Sequence, residues 1–349
     1  MRAKTAPIKS AFVALAVSGA LLSACGTSTS ASPTTTASST KSVTTSTIPA
    51  GTVLRVGEQL KNLSTILSIA GQDKDFPYQV QYSEFVGGPP MLQAFQGGLI
   101  DAGYVFSTPL IFAQAANQAV TAVAGFGTQG SGYALVSAPG NTSIKKWADL
   151  KGKKVAYQVG TAGEAVLLEG LKTAGLSYSD ITTVNLPTTQ VAAALQGGSA
   201  DAGITVEPLL SVFLQANPTA RVVTYSTQIT DRTGFLIATS AALADTARSA
   251  ALADYLTRLV KAYNYLRAHP EKSTQAILVQ QYGLSPARAN EVATREGPTA
   301  FVMLPGAVFA AQQNVADLFA AAGQIPSKIN VAKEFDSRFN DLITSVQDS

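Results

Sequence analysis

The chain has 349 residues, enough for two average domains, and 46% of them are hydrophobic against 13% charged, so sizeable cores are expected and global disorder is excluded. The formal net charge is +3, and three basic residues, Arg2, Lys4 and Lys9, lie within the first ten positions, which leaves the rest of the chain neutral. Because that remainder has no block of Lys and Arg interleaved with aromatic residues, we predict no nucleic-acid partner.

The N-terminus has the pattern of an export signal followed by a lipidation site. An apolar run, AFVALAVSGALL (11–22), is too short to span a bilayer as a mature helix but suits the apolar segment of a signal peptide, which we place at 1–24. The next residue, Cys25, is the only cysteine of the chain, so an internal disulfide or a cysteine metal cage is excluded. Leu-Ser-Ala-Cys resembles the lipobox of bacterial lipoproteins. That resemblance implies acyl chains, palmitate among them, on Cys25 at the extracytoplasmic face of the cell membrane.

Residues 26–49 are mostly serine and threonine and show no hydrophobic periodicity. Such a segment cannot bury enough apolar surface to offset the entropy of ordering it, so we predict a flexible tether. We therefore assign 25–50 to the lipidated cysteine and a linker, and we expect the folded body to begin at residue 51.

From residue 51 onward, strand and helix patterns alternate. VLRVGEQ (53–59), YQVQYSEF (78–85) and DAGYVF (101–106) each predict a strand, and each is followed by a helical pattern. The third helix, STPLIFAQAANQ, has Ser107 or Thr108 as its expected N-cap. This βαβαβα order predicts a parallel sheet with helices on both faces.

A second set of the same elements follows, beginning with KKVAYQVG (153–160) and a helix for which Thr161 is the expected N-cap. The two sets share a phrase: MLQAFQGGLIDAG (91–103) and VAAALQGGSADAG (191–203) have seven identical residues at a spacing of one hundred. Each phrase contains a helix end, a Gly-Gly reversal and the start of a strand. We therefore predict two α/β lobes of similar construction.

Two such lobes enclose a cleft. In open parallel sheets, ligands bind at the carboxyl ends of the strands, where helix N-termini present unpaired N–H groups and partial positive charge. The sequence contains six such ends, three in each lobe: Gln59–Asn62, Val86–Pro89, Phe106–Pro109, Gly160–Gly163, Leu186–Thr189 and Thr205–Pro208.

These segments together resemble the substrate-binding proteins of ABC importers, in the group for aliphatic sulfonates, taurine and nitrate, to which thiamine-precursor binders are related. The resemblance covers about residues 53–300 and is carried by SEFVGGPPMLQAFQGGLIDAGYVFSTPLIFAQAA (83–116), by the segment 144–176 and by LQGGSADAGITVEPLLS (195–211). It implies an α/β, two-lobed type II periplasmic-binding fold in which each lobe is a mostly parallel sheet flanked by helices.

The resemblance also implies two strands that cross between the lobes, for which YALVS (133–137) and TGFLIATS (233–240) are the candidates. The first lobe would then comprise 51–132 and 238–349, and the second would comprise 133–237 with the hinge strands. The helical patterns at 253–269 and 308–323 would lie behind the first lobe.

Two segments depart from the pattern of the sulfonate-binding proteins. Family members often carry an acidic residue and paired prolines where this chain has Phe106–Pro109, and Trp-Asp-Pro where it has Val206–Pro208. We therefore expect the aromatic wall of the pocket to be missing. A sulfonate or a taurine-like zwitterion is favoured as the ligand, and a nitrate-sized anion and a thiamine-precursor-like heterocycle stay open.

The candidate ligand contacts lie at the six ends. Lys61 and Arg232 are the cations nearest the expected mouth, and arginine suits bidentate binding of a sulfonate or carboxylate. Glu58 and Glu207 are candidates for the amine of a zwitterion, although a helix dipole also explains Glu207. The two aspartates of the repeated phrase, at 101 and 201, are interpreted as structural turn acceptors. The complete set of predicted ligand-binding residues is Gln59, Lys61, Asn62, Gly88, Ser107, Thr108, Gly160, Thr161, Ala162, Glu207 and Arg232.

An enzyme is not expected, since the anchor uses the single cysteine and the single histidine, His269, stands before a proline at a helix end. We predict no catalytic residue, no metal site and no cofactor. The predicted function is that of a monomeric receptor that closes by hinge motion around a small solute and delivers it to an ABC permease and its ATPase. A lipoprotein that presents its ligand to a membrane sensor is the open alternative.

Overall fold

The structure is a computed structural model, and it describes residues 47–127, 130, 132–226 and 233–347. The predicted signal peptide, Cys25 and most of the predicted linker lie outside the described residues, as does Arg232. The described residues fall within one compact unit, Thr40–Ser349. None of the helices found among them has the length and apolar character needed to cross a membrane.

The described residues form two β-sheets. The first has the order β11-β4-β10-β3-β1-β2, and the second has the order β7-β6-β8-β5-β9. The strands are β1 (Val53–Gln59), β2 (Gln79–Phe85), β3 (Ala102–Phe106), β4 (Val120–Gly127), β5 (Tyr133–Ser137), β6 (Lys154–Tyr157), β7 (Thr182–Asn185), β8 (Ala202–Val206), β9 (Val222–Tyr225), β10 (Thr233–Thr239) and β11 (Ala300–Val302).

Helices cover both faces of each sheet. They are α1 (Asn62–Ile69), α2 (Gly88–Gln96), α3 (Ser107–Ala115), α4 (Ala162–Thr173), α5 (Val191–Gln196), α6 (Leu209–Ala216), α7 (Ser240–Ala244), α8 (Thr246–Ala268), α9 (Pro270–Ser273), α10 (Pro286–Glu296), α11 (Val308–Ala321) and α12 (Asn340–Gln347). A π-helical segment, Thr274–Gln281, continues α9, and short 3₁₀ turns lie at Trp147–Leu150, Tyr178–Asp180, Thr188–Gln190 and Val331–Glu334.

The predicted two-lobed α/β fold is confirmed. In each lobe three parallel strands form the common core, β2-β1-β3 in the first and β7-β6-β8 in the second. Each sheet is mixed, because β10 runs antiparallel to β3 and β4, and β5 runs antiparallel to β8 and β9. The two sheets therefore repeat the same order of parallel and antiparallel neighbours.

The chain changes sheets twice, and each change supplies the strand beside the parallel core. β4 ends at Gly127 in the first sheet, and β5 begins at Tyr133 in the second, next to β8. β9 ends at Tyr225 in the second sheet, and β10 begins at Thr233 in the first, next to β3. The predicted crossing strands are YALVS and TGFLIATS. Each of them forms hydrogen bonds within a single sheet, so the chain passes from one sheet to the other just before each strand begins. The predicted limits of the two lobes stay a proposal. Because β10 pairs with strands of the first sheet, we propose that residues 233–237 belong to the first lobe.

The repeated phrase folds in the same way in both lobes. It ends a helix at a glycine with positive φ, Gly98 at +66° and Gly198 at +70°, a backbone conformation that glycine adopts without strain. It then enters the sheet at a glycine with no room for a side chain: a Cβ would lie 2.8 Å from the preceding helix at Gly103 and 2.7 Å from it at Gly203. The two copies thus meet the same steric requirements at the same positions.

Asp101 and Asp201 fasten this phrase to the neighbouring strand, as their structural interpretation requires. The Asp101 carboxylate accepts hydrogen bonds from the backbone N–H of Arg55 (2.9 Å) and from the guanidinium groups of Arg55 (2.6 Å) and Arg248 (3.0 Å). Asp201 accepts from the backbone N–H of Lys154 (2.8 Å). Burial by itself would raise the pKa of Asp101, but the hydrogen bonds and charge of Arg55, together with Arg248, hold that pKa below its ordinary value.

The predicted helices at 253–269 and 308–323 are present as parts of α8 and α11. α8 packs behind the first sheet, where Tyr255 and Leu259 are fully buried in the cluster that includes β1 and α1. α11 does more than cover the first lobe. Its Phe319 packs in one apolar cluster with Ile111 of α3, from the first lobe, and Leu168 of α4, from the second. α11 therefore contacts both lobes.

We expect Asp101→Asn to lower the free energy of unfolding by about 2 kcal/mol, because two arginines lose their anion. Asp201→Asn is the matched control, since its amide oxygen can still accept from the N–H of Lys154 and no arginine loses its anion, and it should cost less than about 1 kcal/mol. Because folding lowers the pKa of Asp101, its contribution is complete above the pKa of an unfolded aspartate, about 4, and disappears as the pH falls through the folded-state value. Urea unfolding at pH 7 and pH 3 measures both effects, and equal losses in the two variants would contradict the assignment.

Candidate functional site

A cavity of about 210 Å³ lies between the two lobes. All six of the strand-to-helix ends that the sequence predicts contribute to its lining. Among the residues that line it are Lys61, Gly88, Phe106, Thr161, Thr188 and Glu207, one from each end. The carboxyl ends of the parallel strands of both sheets therefore face the same space.

The first lobe brings amide groups and one cation to the cavity. Gln59 donates its side-chain amide to the carbonyl of Tyr104 (3.0 Å), and the side-chain oxygen of Asn62 accepts from the N–H of Gln59 (3.3 Å). Lys61 precedes α1 in the left-handed conformation, with φ of 55°. Among the described residues of the lining, Lys61 is the only lysine or arginine. Its charge adds to the partial positive charge at the start of α1.

The two glutamates proposed for a ligand amine have partners within the protein. The Glu58 carboxylate accepts from the N–H (2.9 Å) and the hydroxyl (2.7 Å) of Ser64, in the first turn of α1. The Glu207 carboxylate accepts from the N–H (3.2 Å) and the hydroxyl (3.0 Å) of Ser211, in the first turn of α6, and it forms an ion pair with Arg295. Burial raises the pKa of Glu207, and Arg295 and Ser211 offset this only in part. Both carboxylates therefore serve as helix caps, and only Glu207 lines the cavity.

The loop before α4 uses some of its donors internally. The hydroxyl of Thr161 donates to the carbonyl of Gln158 (2.7 Å), and the N–H of Gly160 donates to the buried carboxylate of Glu164 (2.7 Å). Burial raises the pKa of Glu164, and its bond from Gly160 lowers it only in part. Thr161 and Ala162 line the cavity, whereas Gly160 does not. The donors left for a ligand are the N–H groups at the start of α4, which have no partner within the helix.

Ser107 and Thr108 do not reach the cavity. α3 begins at Ser107 with Phe106 as its N-cap, and no side chain caps it, so the expectation that Ser107 or Thr108 is the cap is wrong. Ser107 is 2% exposed and Thr108 is fully buried. Successive residues of a helix are about 100° apart around its axis. Because α3 begins at Ser107, Pro109 faces the cavity and Ser107 and Thr108 do not.

The cavity has an aromatic wall, so the expectation that such a wall is missing is also wrong. Tyr104, Phe106, Tyr133 and Tyr282 line it. The ring of Phe106 stands edge-on to those of Tyr104 and Tyr133, with centroids 5.6 and 5.8 Å apart. Tyr104 and Phe106 alternate in DAGYVF and therefore share one face of β3. That spacing is visible in the sequence, but it does not tell which face of the strand meets the ligand.

A third wall comes from the π-helical segment after α9, for which the sequence analysis offered no signal. Ile277, Gln281 and Tyr282 line the cavity. The amide of Gln281 donates to the carbonyl of Leu60 in the first lobe (3.4 Å), and the amide of Gln215 in α6 donates to the carbonyl of Gly283 (3.0 Å). The segment is therefore joined to both lobes.

One side chain bridges the lobes at the rim of the cavity. The amide nitrogen of Gln158, in the second lobe, donates to the carbonyl of Val86 in the first lobe (3.2 Å). The amide oxygen of Gln158 accepts from the N–H and the hydroxyl of Thr188 (2.9 Å each). Separation of the two lobes at this rim would break the bond to Val86.

The model of the NMT1/THI5-like family matches residues 80–273, more than half of the chain. The chain belongs to the NMT1/THI5-like family. A relative in Escherichia coli strain K12, named as an aliphatic sulfonates-binding protein, is 31% identical over 80% of this chain and 86% of its own length. This relative is named as a binding protein, like the similar proteins of known structure described below. The present family member is likewise a binding protein rather than an enzyme.

Two solved structures of periplasmic or alkanesulfonate-binding proteins have the same fold as this NMT1/THI5-like protein. The alkanesulfonate-binding protein SsuA from Xanthomonas axonopodis pv. citri, bound to MOPS, is 29% identical with a TM-score of 0.73, over 82% of this chain and 99% of that one. The periplasmic aliphatic sulphonate-binding protein SsuA from Escherichia coli is 29% identical with a TM-score of 0.69, over 85% and 99% of the two chains.

The described part of this family member contains no group of three or more His, Cys, Asp or Glu side chains that could hold a metal ion.

Of the eleven ligand contacts predicted from the sequence, those that line the cavity are Gln59, Lys61, Asn62, Gly88, Thr161, Ala162 and Glu207. Ser107, Thr108 and Gly160 lie elsewhere, and Arg232 is outside the described residues.

We expect Gln158→Ala to shift the ligand-free protein toward the open form, because the bond to Val86 is lost. Small-angle scattering should then show a larger radius of gyration, and ligand affinity should fall about fivefold, the equivalent of one hydrogen bond. Gln59→Ala is the matched control for scattering, since Gln59 occupies the corresponding position of the first lobe but bonds within that lobe. Identical scattering from Gln158→Ala and the unchanged protein would show that Gln158 does not hold the lobes together.

Proposed function

We propose that this protein captures a small organic anion, a sulfonate or a taurine-like zwitterion, between its two lobes and delivers it to the permease and ATPase of an ABC importer. The observation that carries the proposal is the convergence of all six strand-to-helix ends on one cavity. Contact with both lobes gives a ligand higher affinity for the closed form than for the open form, as hinge closure requires.

The charge distribution of the site favours an anionic head group. Five helices of eight or more residues, α1, α2, α3, α4 and α6, begin at the cavity, and each N-terminus carries partial positive charge. Lys61 adds a full charge. The carboxylate of Glu207 is already paired with Arg295 and with the first turn of α6.

The names of the relatives support a sulfonate. The Escherichia coli protein is named for aliphatic sulfonates, and the Xanthomonas protein holds MOPS, which is itself an organic sulfonate. A sulfonate head presents three oxygens, which suits a set of converging N–H donors better than a heterocycle without an anionic group.

We expect the isolated body, without residues 1–25, to bind ethanesulfonate and taurine more tightly than nitrate or an aminopyrimidine. Lys61→Gln should weaken sulfonate binding about tenfold, because the cation in the lining is lost. The matched control is Lys272→Gln, which changes an exposed lysine outside the cavity. Calorimetry measures the affinities. Failure of every sulfonate to bind, or equal affinity of the two lysine variants, would overturn the assignment of the site.

We further propose that the mature protein begins at a lipidated Cys25. The lipid anchors the protein at the extracytoplasmic face of the cell membrane, and the Ser/Thr-rich linker connects this anchor to the folded body. The periplasmic location named for the Escherichia coli relative supports export. Cys25→Ala should move the protein from the membrane fraction into the soluble exported fraction without changing its ligand affinity. Mass spectrometry of the unchanged protein should find acyl chains on Cys25, and an unmodified Cys25 would exclude the lipid anchor.

A further inference from the structure

Three buried polar side chains meet where α11 packs behind the start of α3. The side-chain amide of Gln312, in α11, donates to the carbonyl of Ser107, the first residue of α3 (3.1 Å), and to the carboxyl group of Glu334 (2.7 Å). Glu334 is the last residue of a 3₁₀ turn, Val331–Glu334. All three side chains are at most 2% exposed. Gln312 therefore joins three separate segments of the chain in one buried cluster.

The hydrogen bonds of this cluster are incomplete. The hydroxyl oxygen of Ser107, the amide oxygen of Gln312 and one carboxyl oxygen of Glu334 are buried without a hydrogen-bond partner among the described residues. Buried polar atoms without partners are rare in folded proteins, because each costs free energy. If Glu334 is ionised, its free oxygen and that of Gln312 can only accept hydrogen bonds. A proton on the carboxyl group turns one of these acceptors into a donor.

No cation neutralises the Glu334 carboxyl group in the part of the chain that the structure describes. The 3₁₀ turn packs against α3, β4 and α11, and neither α3 nor β4 carries a charged residue. The charged residues on α11, on the turn and on the chain beside it are Asp317, Lys328, Lys333, Asp336 and Arg338. Asp336 pairs with Arg338 (2.7 Å). Both lysines are exposed to water, which solvates their charge. A charge buried without a partner is far more costly than a buried neutral acid.

Burial raises the pKa of Glu334 to about 8, and the hydrogen bond from Gln312 offsets this only in part. An unfolded glutamate has a pKa of about 4.3. Between these two values the folded chain therefore binds one more proton than the unfolded chain. The contribution of Glu334 to stability is greatest below about pH 4, and it falls as the pH rises to about 8.

Ser107 links this cluster to the ligand cavity, since Phe106 before it and Pro109 two residues after it both line that cavity. We propose that Gln312 and Glu334 are positioning residues for the cavity, and that Glu334 performs this role as a neutral carboxylic acid. The neutral acid keeps the cluster compact, so that Gln312 holds the start of α3 in place. An ionised Glu334 puts an unpaired charge into the apolar packing around α11, which distorts the cluster. The effect on a ligand rests on the proposed function, whereas the protonated cluster does not.

The first test counts the protons released on unfolding. Urea unfolding at several pH values between about 5.5 and 7 gives the slope of the free energy of unfolding against pH, which reports that number. The unchanged protein should release about one proton more per molecule than Glu334→Gln, whose amide does not ionise. Glu84→Gln, at an exposed position of β2, is the matched control and should behave like the unchanged protein. Equal proton release from the unchanged protein and Glu334→Gln would overturn the neutral acid.

The second test follows the affinity for ethanesulfonate by calorimetry on the body without residues 1–25. In the unchanged protein the affinity should be about fivefold lower at pH 9 than at pH 7, because Glu334 ionises between them. Glu334→Gln should keep its affinity at pH 9, since its amide oxygen still accepts from Gln312 and carries no charge. The same decrease in both proteins would contradict the positioning role.

Crystal structures of ligand-free variants show the position of α3 directly. Gln312→Met has a side chain of similar length without an amide, so the carbonyl of Ser107 loses its donor. The start of α3, with Phe106, should then move by more than about 0.5 Å. Gln324→Met is the matched control, because it removes an amide just beyond the end of α11, and it should leave α3 in place. An unmoved α3 in Gln312→Met would exclude the positioning role.

The two ligand-free measurements separate this proposal from the proposed function. If no sulfonate binds at any pH while Glu334 accounts for the extra proton and Gln312→Met moves α3, the positioning cluster stands and the sulfonate assignment falls. If sulfonates bind but Glu334→Gln changes neither the proton release nor the pH dependence of affinity, the sulfonate assignment stands and the positioning cluster falls.

Discussion

A helix that follows a parallel strand leaves the N–H groups of its first turn at the carboxyl end of that strand, without partners inside the helix. In this protein two copies of one βαβ unit place those ends around a single cavity, and the polar chemistry of the site depends on this constraint. The protein uses some of the donors itself, since Glu58 and Glu207 cap α1 and α6. The donors that remain, together with Lys61, make the cavity suitable for an anion.

The two lobes are connected both by the chain and by packing. Each crossing of the chain completes the other sheet, so neither lobe has a whole sheet without residues that lie beyond the crossing. α11 packs against α3 and α4 at once, away from the rim, whereas Gln158 joins the lobes at the rim through one hydrogen bond. An apolar contact that is costly to separate and a polar contact that is easily broken suit the hinge motion that we propose.

The repeat gives the two lobes the same backbone arrangement, and the residues that differ between the two copies make the site asymmetric. Asp101 and Asp201 make the same backbone bond, yet only Asp101 also holds two arginines. The segment from α9 to α10 lies outside the repeated set of strands and helices, and it builds the third wall of the cavity. Part of the cavity wall therefore comes from a segment outside the repeat.

The sequence by itself determined the βαβαβα order of each lobe, the two-lobed plan and the six strand-to-helix ends, because periodicity, helix stops and glycine positions express local requirements. The sequence DAG at 101–103 and 201–203 illustrates this, since each glycine is required by a close contact within its own βαβ unit. Only the tertiary structure decided which side chains face the ligand. A start of α3 at Ser107 turned Pro109 inward, and packing of the 270–296 segment across both lobes added walls that depend on contacts between residues more than sixty positions apart.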